Sequence, residues 1–215
     1  GVKLGTYGFI KGASAFIAGA IEREPMAEVD YGYALEEIIL QVTGMGFGTC
    51  WLGGTFSRAD YGDILSVSDD EFVPAVTPIG VAAERRGRVE RLVRWGAKSD
   101  SRLAWDALFF DGSPRRPLTQ EAAGDYAQVL EAVRRAPSAS NKQPWRLVRD
   151  QDRFHLLLKR TVGYGKLVAA ADLQGIDMGI AMCHFELAAR ALTLTGAWHV
   201  ETPAPSFSEL GEYIV

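Results

Sequence analysis

Cysteine is nearly absent: the 215 residues include two, Cys50 and Cys183, with no second thiol near either. That excludes a disulfide framework and a clustered zinc site. Histidine is sparse too, and His155, His184 and His199 are scattered without metal-ligand spacing. His184 and Glu186 stand two apart on an expected helix and so point to different faces. No metal site is expected. Cationic excess is also lacking, since 23 Lys plus Arg meet 27 Asp plus Glu for a net charge of −4. Polyanion affinity comes mostly from neutralising phosphates, so no nucleic-acid partner is expected. A bilayer-spanning run is missing as well. Residues 38–57 carry no charge over 20 positions, but Gly44, Gly46, Gly48, Gly53 and Gly54 interrupt them, with Gln41, Thr43, Thr49 and Thr55. They read as a buried helix running into a glycine-rich loop, with no membrane association.

The chain opens on Gly1-Val2-Lys3-Leu4 without the charged, apolar and cleavage regions of a signal peptide. The expectation is a reduced, cytoplasmic protein from which either a tag was trimmed or the natural N-terminal segment is missing. What is present is ordinary for a globular protein: 47% apolar and 23% charged residues. The length predicts one domain, or two small ones, with a sizeable core.

A self-comparison finds a repeat at an offset of 147. Asp30, Gly32, Ala34 and Trp51 meet Asp177, Gly179, Ala181 and Trp198, and apolar Leu35, Ile38, Met45 and Phe47 meet Met182, Phe185, Leu192 and Leu194. Each copy reads as a long apolar helix with small residues early, a pattern suited to close helix packing. Two related halves, 1–112 and 113–215, follow, divided at the turn-rich Asp111-Gly112-Ser113-Pro114.

In the second half Thr119 is placed to cap a helix whose apolar residues Ala122, Tyr126, Val129, Leu130 and Val133 recur every three or four positions. Pro137 ends it by forcing Ala136 out of helical geometry. Residues 145–148 and 154–158 read as a hairpin around the polar turn 149–153. Asp177 is expected to cap a helix reaching Leu192, and residues 196–200 to form a further strand. In the first half, residues 13–21 read as a buried strand or packed helix, 30–44 as the first long helix, and 72–80 as a strand with prolines at its ends or edge. The fold class is α+β, without strict βαβ alternation.

Several motifs fail on context. Gly44-Met45-Gly46-Phe47-Gly48-Thr49 follows a helix and does not open one, so it reads as helix termination and not as a dinucleotide fingerprint. Lys11-Gly12 has the wrong order for a phosphate loop. No Gly-x-Ser-x-Gly elbow or Ser-x-x-Lys spacing supports serine hydrolysis. Arg85, Arg86, Arg88, Arg91, Arg94, Lys98 and Arg102 form a basic stretch, but Glu84, Glu90 and Asp100 interrupt it. Residues 134–145 differ from these. Hydroxyls, an amide pair and cations are concentrated there, in a loop that Pro137 and Pro144 lock. Such a loop can read the edge of a flat heterocycle at low ordering cost, and it can equally be a well-capped surface loop.

Ala136-Pro137-Ser138-x-x-Asn141-x-Gln143-Pro144-Trp145 resembles the signature of the nitroreductase family of FMN-dependent oxidoreductases. Residues 46–54 resemble that family's helix-end loop beside the flavin, Pro78-Ile79-Gly80 its late strand, and Lys98 with Arg102 its basic tail. The resemblance covers most of residues 1–200. It implies a nitroreductase-like α+β fold with a central mixed or antiparallel sheet flanked by helices. It further points to the branch in which two family-like halves are fused, so that a monomer imitates the dimer, alone or as a further homodimer.

By the same resemblance, FMN would accept hydride from NAD(P)H and pass electrons to a small-molecule acceptor such as a nitroaromatic or quinone. Pro137, Ser138, Ser140, Asn141 and Gln143 would meet the ring's polar edge. Gly53 and Gly54 would approach it through backbone, and Lys98 and Arg102 would hold the phosphate. No side chain is assigned a catalytic role. The Arg-x-Ser-x-Arg opening typical of the family has no counterpart in the chain. A second expectation is therefore a flavin-binding storage, sensing or partner module without turnover.

Overall fold

Two long helices touch main chain to main chain, and the residues that permit it are Gly32 and Gly179, the glycines aligned at the offset of 147. The structure, a computed structural model, describes residues 13, 15–81, 101–164, 170–200, 207 and 209–215. Lys98, with the rest of the basic stretch before Ser101, lies outside them. Helix α1 (Ala27–Gly44) buries Val29, Gly32, Leu35, Glu36 and Ile39, residues three or four apart that share one face. Gly46, at φ +90°, ends it as the sequence predicts, and the N–H of Met45, Gly46 and Phe47 return to the last-turn carbonyls. Helix α5 (Leu173–Ala191) is buried almost throughout its first eleven residues.

Where the two helices cross, a Cβ on Gly32 would collide with the Ile176 carbonyl oxygen. One on Gly179 would collide with that of Val29. Val29 and Gly32 correspond to Ile176 and Gly179 at the offset of 147, so the contact is reciprocal. Buried Glu36 lies further along the same seam. Its Oε2 accepts from Trp51 Nε1 at 2.7 Å, and its Oε1 is 2.8 Å from His184 Nε2 on α5. The principal apolar cluster accordingly draws Val29, Leu35 and Ile39 together with Leu130, Trp145, Ile176 and Ile180, from both sides of residue 112.

Among the described residues the strands form three ladders, where the sequence predicts one central sheet. β1 (Ala15–Ala18) and β3 (Gly48–Thr49) flank β5 (Val76–Gly80), all antiparallel. β2 (Ile21–Glu22) pairs β4 (Glu71–Phe72). The third ladder runs β6 (Phe109–Asp111), β7 (Trp145–Asp150), β8 (Arg153–Leu158), β9 (Glu212–Tyr213), with β6–β7 parallel and the others antiparallel. β6 therefore joins this sheet from before the expected boundary at residue 112. The run 72–80 is two strands because Val73-Pro74-Ala75 intervenes, and its parts enter different ladders.

Other expectations shift for local reasons. The hairpin turn narrows to Gln151-Asp152, because Asp150 pairs with Arg153 and Gln151 adopts φ +56°. Thr119 does accept the Ala122 N–H, but Gly124 at φ +57° divides the helix into α3 (Gln120–Ala123) and α4 (Tyr126–Arg135). Residues 196–200 are not a strand; Trp198 instead packs edge-on to Phe185, 5.1 Å between ring centres. Asp177 does not cap α5, which starts four residues earlier and buries Asp177 in its second turn. Helix α2 (Arg58–Leu65) is capped by Ser57, and no described helix is long and apolar enough to cross a membrane.

Because backbone lies opposite each glycine, Gly32→Ala and Gly179→Ala are each expected to destabilise by about 2–3 kcal/mol or more. Gly44→Ala, with open space around the added methyl, should cost nothing and gain up to about 1 kcal/mol. Urea unfolding of the three variants checks the order.

Candidate functional site

The proline-framed loop is held in a conformation that its own residues disfavour. α4 ends at Arg135, and Ala136 turns to ψ 144° before Pro137, as proline requires. A single 3-10 turn, Ala139–Asn141, follows. Within four residues Ser140, Asn141 and Gln143 take φ of +50°, +54° and +47°. Each such non-glycine residue costs on the order of 1 kcal/mol, less for asparagine. Conformations of this kind persist where the surroundings over-determine them.

The surroundings here do so from four directions. Ser138 Oγ accepts the Gln143 N–H at 2.9 Å, closing the loop on itself. Gln143 is 3% exposed, and its Oε1 accepts the Leu103 N–H at 2.8 Å while Nε2 donates to the Asn141 carbonyl and Oδ1, each at 3.2 Å. Asn141 Nδ2 donates to the Ser101 carbonyl at 3.0 Å. From below, Asp177 Oδ1 accepts the Ala139 N–H at 2.8 Å. Ser140 alone among these polar side chains is exposed, its Oγ 3.1 Å from Tyr164 Oη.

Arg102 joins the loop to the end of α4. Its Nε and Nη2 donate to the Arg135 carbonyl at 3.3 and 2.9 Å, and Nη1 reaches Asn141 Oδ1 at 3.4 Å. A cation at a helix C-terminus is favourably placed against the helix dipole. The structure thus brings Pro137, Ser138, Ser140, Asn141, Gln143 and Arg102 into one cluster. Gln143 spends its side chain inside that cluster and presents little surface.

Gly53 and Gly54 follow Leu52, which is bridged to Val76 in both directions. A Cβ on Gly53 would sit 2.7 Å from Leu173 Cδ2, so its missing side chain makes room for the first residue of α5. Its carbonyl accepts from Arg58 Nη2 at 2.6 Å, and Gly54 is exposed. The two candidate segments are therefore linked through α5: Leu173 abuts Gly53, and Asp177, one turn later, holds Ala139. A cavity of about 640 Å³ lies elsewhere, where Tyr126, Phe154, Phe185 and Trp198 line the far end of α5. Among the described residues no group of His, Cys, Asp or Glu could hold a metal.

Asp177 is the residue that sequence reasoning misplaced. It is 2% exposed, Oδ2 has no hydrogen-bond partner among the described residues, and burial holds its carboxyl well above the ordinary aspartate value. The Ala139 N–H opposes that rise and nearby Asp172 adds to it. Its setting between Ile176 and Met178-Gly179-Ile180 signals a buried carboxyl more than a cap. Ser101, Leu103 and Tyr164 were also missed, and nothing in their types distinguishes them.

A family model described as "Putative TM nitroreductase" matches residues 2–189. The crystal structure of a "putative nitroreductase" from Thermotoga maritima is similar to the chain with a TM-score of 0.55 and 22% identity. The alignment covers 88% of this chain and 65% of that one, so the chain spans less than two thirds of its length. That likeness is one of fold. No curated protein matches the chain.

Gln143→Ala leaves the Leu103 N–H without its acceptor and is expected to lower stability by about 1–2 kcal/mol in urea unfolding. Lys142→Ala, on an exposed side chain of the same turn, should change it by less than about 0.5 kcal/mol.

Proposed function

The chain belongs to the TM nitroreductase family, and from that premise we propose that it is an FMN-dependent oxidoreductase built around the Pro137–Gln143 loop. The observation that carries the reading is the run of positive φ values at Ser140, Asn141 and Gln143, inside the very motif that resembles a flavin-binding signature. A surface loop has no need of such strain; a loop that must present polar groups in one direction does.

The donor set suits the polar edge of an isoalloxazine. The Ser140 hydroxyl lies outward, the Asn141 amide is fixed beside it, and the Arg102 guanidinium adds positive charge at the same edge. Positive charge and fixed donors there favour electron density on the ring system. Ser138 and Gln143 act as braces: their side chains close the loop and tie it to Leu103. Gly54 offers an exposed backbone next to Gly53, which itself serves the Leu173 contact. Lys98, outside the described residues, remains a candidate for the phosphate. When bound, the flavin supplies two-electron exchange between NAD(P)H and a small acceptor such as a quinone or nitroaromatic.

The reciprocal contact at Gly32 and Gly179 supports the reading of two related halves. Like surfaces meeting across a two-fold axis touch in this paired way, residue i to j and j to i. On that reading one polypeptide imitates a dimer, and the loop of the second half faces a site completed by the first.

Full-length protein is expected to be yellow or to turn yellow with FMN, and to bleach when NADH or NADPH is added without oxygen. Asn141→Ala should weaken FMN binding about tenfold, read from the quenching of flavin fluorescence. A colourless protein that FMN does not stabilise against heat would overturn the proposal. Binding without nicotinamide oxidation would instead assign a flavin storage or sensing module.

A further inference from the structure

We propose that Asp177 is a positioning residue for the flavin-facing turn: through Oδ1 it fixes the Ala139 N–H, and because Oδ2 is buried with no partner among the described residues, charge on the carboxyl would loosen the buried site on which the turn rests. The inference rests on the flavin reading above for its functional consequence, but its structural basis is independent of it. Asp177 lies directly beneath the 3-10 turn, on a helix held rigid by the α1–α5 crossing. The turn it supports contains two strained residues, Ser140 and Asn141, with a third, Gln143, two positions further on. Losing this one acceptor would free the Ala139 N–H at the start of the strain.

The surroundings decide the charge state. Asp172 on the same helix is acidic and adds repulsion. Glu28 on α1 is acidic as well, its Oε1 accepting the Asp172 N–H at 3.5 Å. From the segment after β8 come Tyr164, engaged with Ser140, and Arg160, whose guanidinium is taken by Asp172 and Glu212. Ser140 and the Ala139 N–H complete the roof. Among the described residues no cation reaches Asp177, and one backbone donor does not compensate a buried carboxylate. Ionisation therefore draws water or motion to the group, and the turn above is the part able to give way.

The sign of the pH dependence follows. A carboxyl whose folded-state value is raised contributes stability that is complete below the ordinary aspartate value and is lost as pH rises through the raised one. Asp177→Asn retains an acceptor for the Ala139 N–H and cannot ionise. Asp177→Ala removes the acceptor altogether.

The test measures melting temperature without ligand, and FMN affinity by fluorescence quenching, from about pH 5 to about pH 9. Wild type is expected to melt lower and bind FMN more weakly as pH rises. Asp177→Asn should lose most of both slopes, and Asp177→Ala should bind FMN about tenfold more weakly at every pH. Should the Ala variant not fold, the Asn variant carries the comparison alone. Equal slopes in wild type and Asp177→Asn would overturn the proposal, as would unaltered FMN binding by a folded Asp177→Ala. If wild type binds no FMN, the flavin reading fails, while the melting profiles of wild type and Asp177→Asn still decide whether Asp177 governs the turn.

Discussion

The approach of α1 to α5 without intervening side chains at Gly32 and Gly179 is the constraint on which the remaining geometry depends. Backbone cannot move aside as a flexible side chain can, so the close approach ties the register of the two helices to these two glycines. With that register set, Leu173 falls against Gly53 at one end of the crossing, and Glu36 meets both Trp51 and His184 further along. Asp177 then has one available place, under Ala139. A single close contact thus determines how an N-terminal glycine pair and a C-terminal loop are disposed about one helix.

Support for the loop is arranged in layers that do different work. The Leu103 N–H donates to the buried Gln143 amide at the base of the turn, Ser101 and Arg102 fix Asn141 from the side, and Asp177 accepts the Ala139 N–H from beneath. Three of these partners come from residues 101–103, far from the loop in sequence and at the end of the basic stretch. The loop conformation is therefore a tertiary property. Cut from its supports, a segment with this sequence would relax to the extended conformations that serine, asparagine and glutamine prefer.

How much of this was legible in the sequence follows from where each piece of information resides. The Pro137 stop, the Thr119 cap and the termination of α1 at Gly46 are local matters of φ and hydrogen bonding, so residue types announce them. Gly32 and Gly179 stand out in the sequence by their alignment at the offset of 147, but not by the contact the two segments make with each other. Strand partners were not legible: β6 pairs with β7 across a gap of more than thirty residues, and 196–200 has strand-like composition yet no partner among the described residues. Gly53 was read as a ledge for a ligand because glycine permits close approach, and the approach exists, but the atom that approaches belongs to Leu173. Asp177 looked like a cap because aspartate commonly is one; only the start of α5 at Leu173 reveals it as an interior residue.

The coincidence of strain and buried acidity in one turn bears on what the turn is for. Three positive φ values cost on the order of 3 kcal/mol together, a substantial part of the 5–15 kcal/mol that holds an ordinary domain folded. A buried carboxyl with one oxygen unpartnered among the described residues adds to that burden and provides no packing that an apolar residue could not provide as well. Stability alone therefore favours neither feature. Both are accounted for if the turn must hold its polar groups at a fixed angle toward something outside the protein fabric, since rigidity at a binding surface lowers the entropy lost when a ligand is ordered there. The same stiffness that makes Ser138–Gln143 an unfavourable loop makes it a favourable edge for a rigid, planar partner.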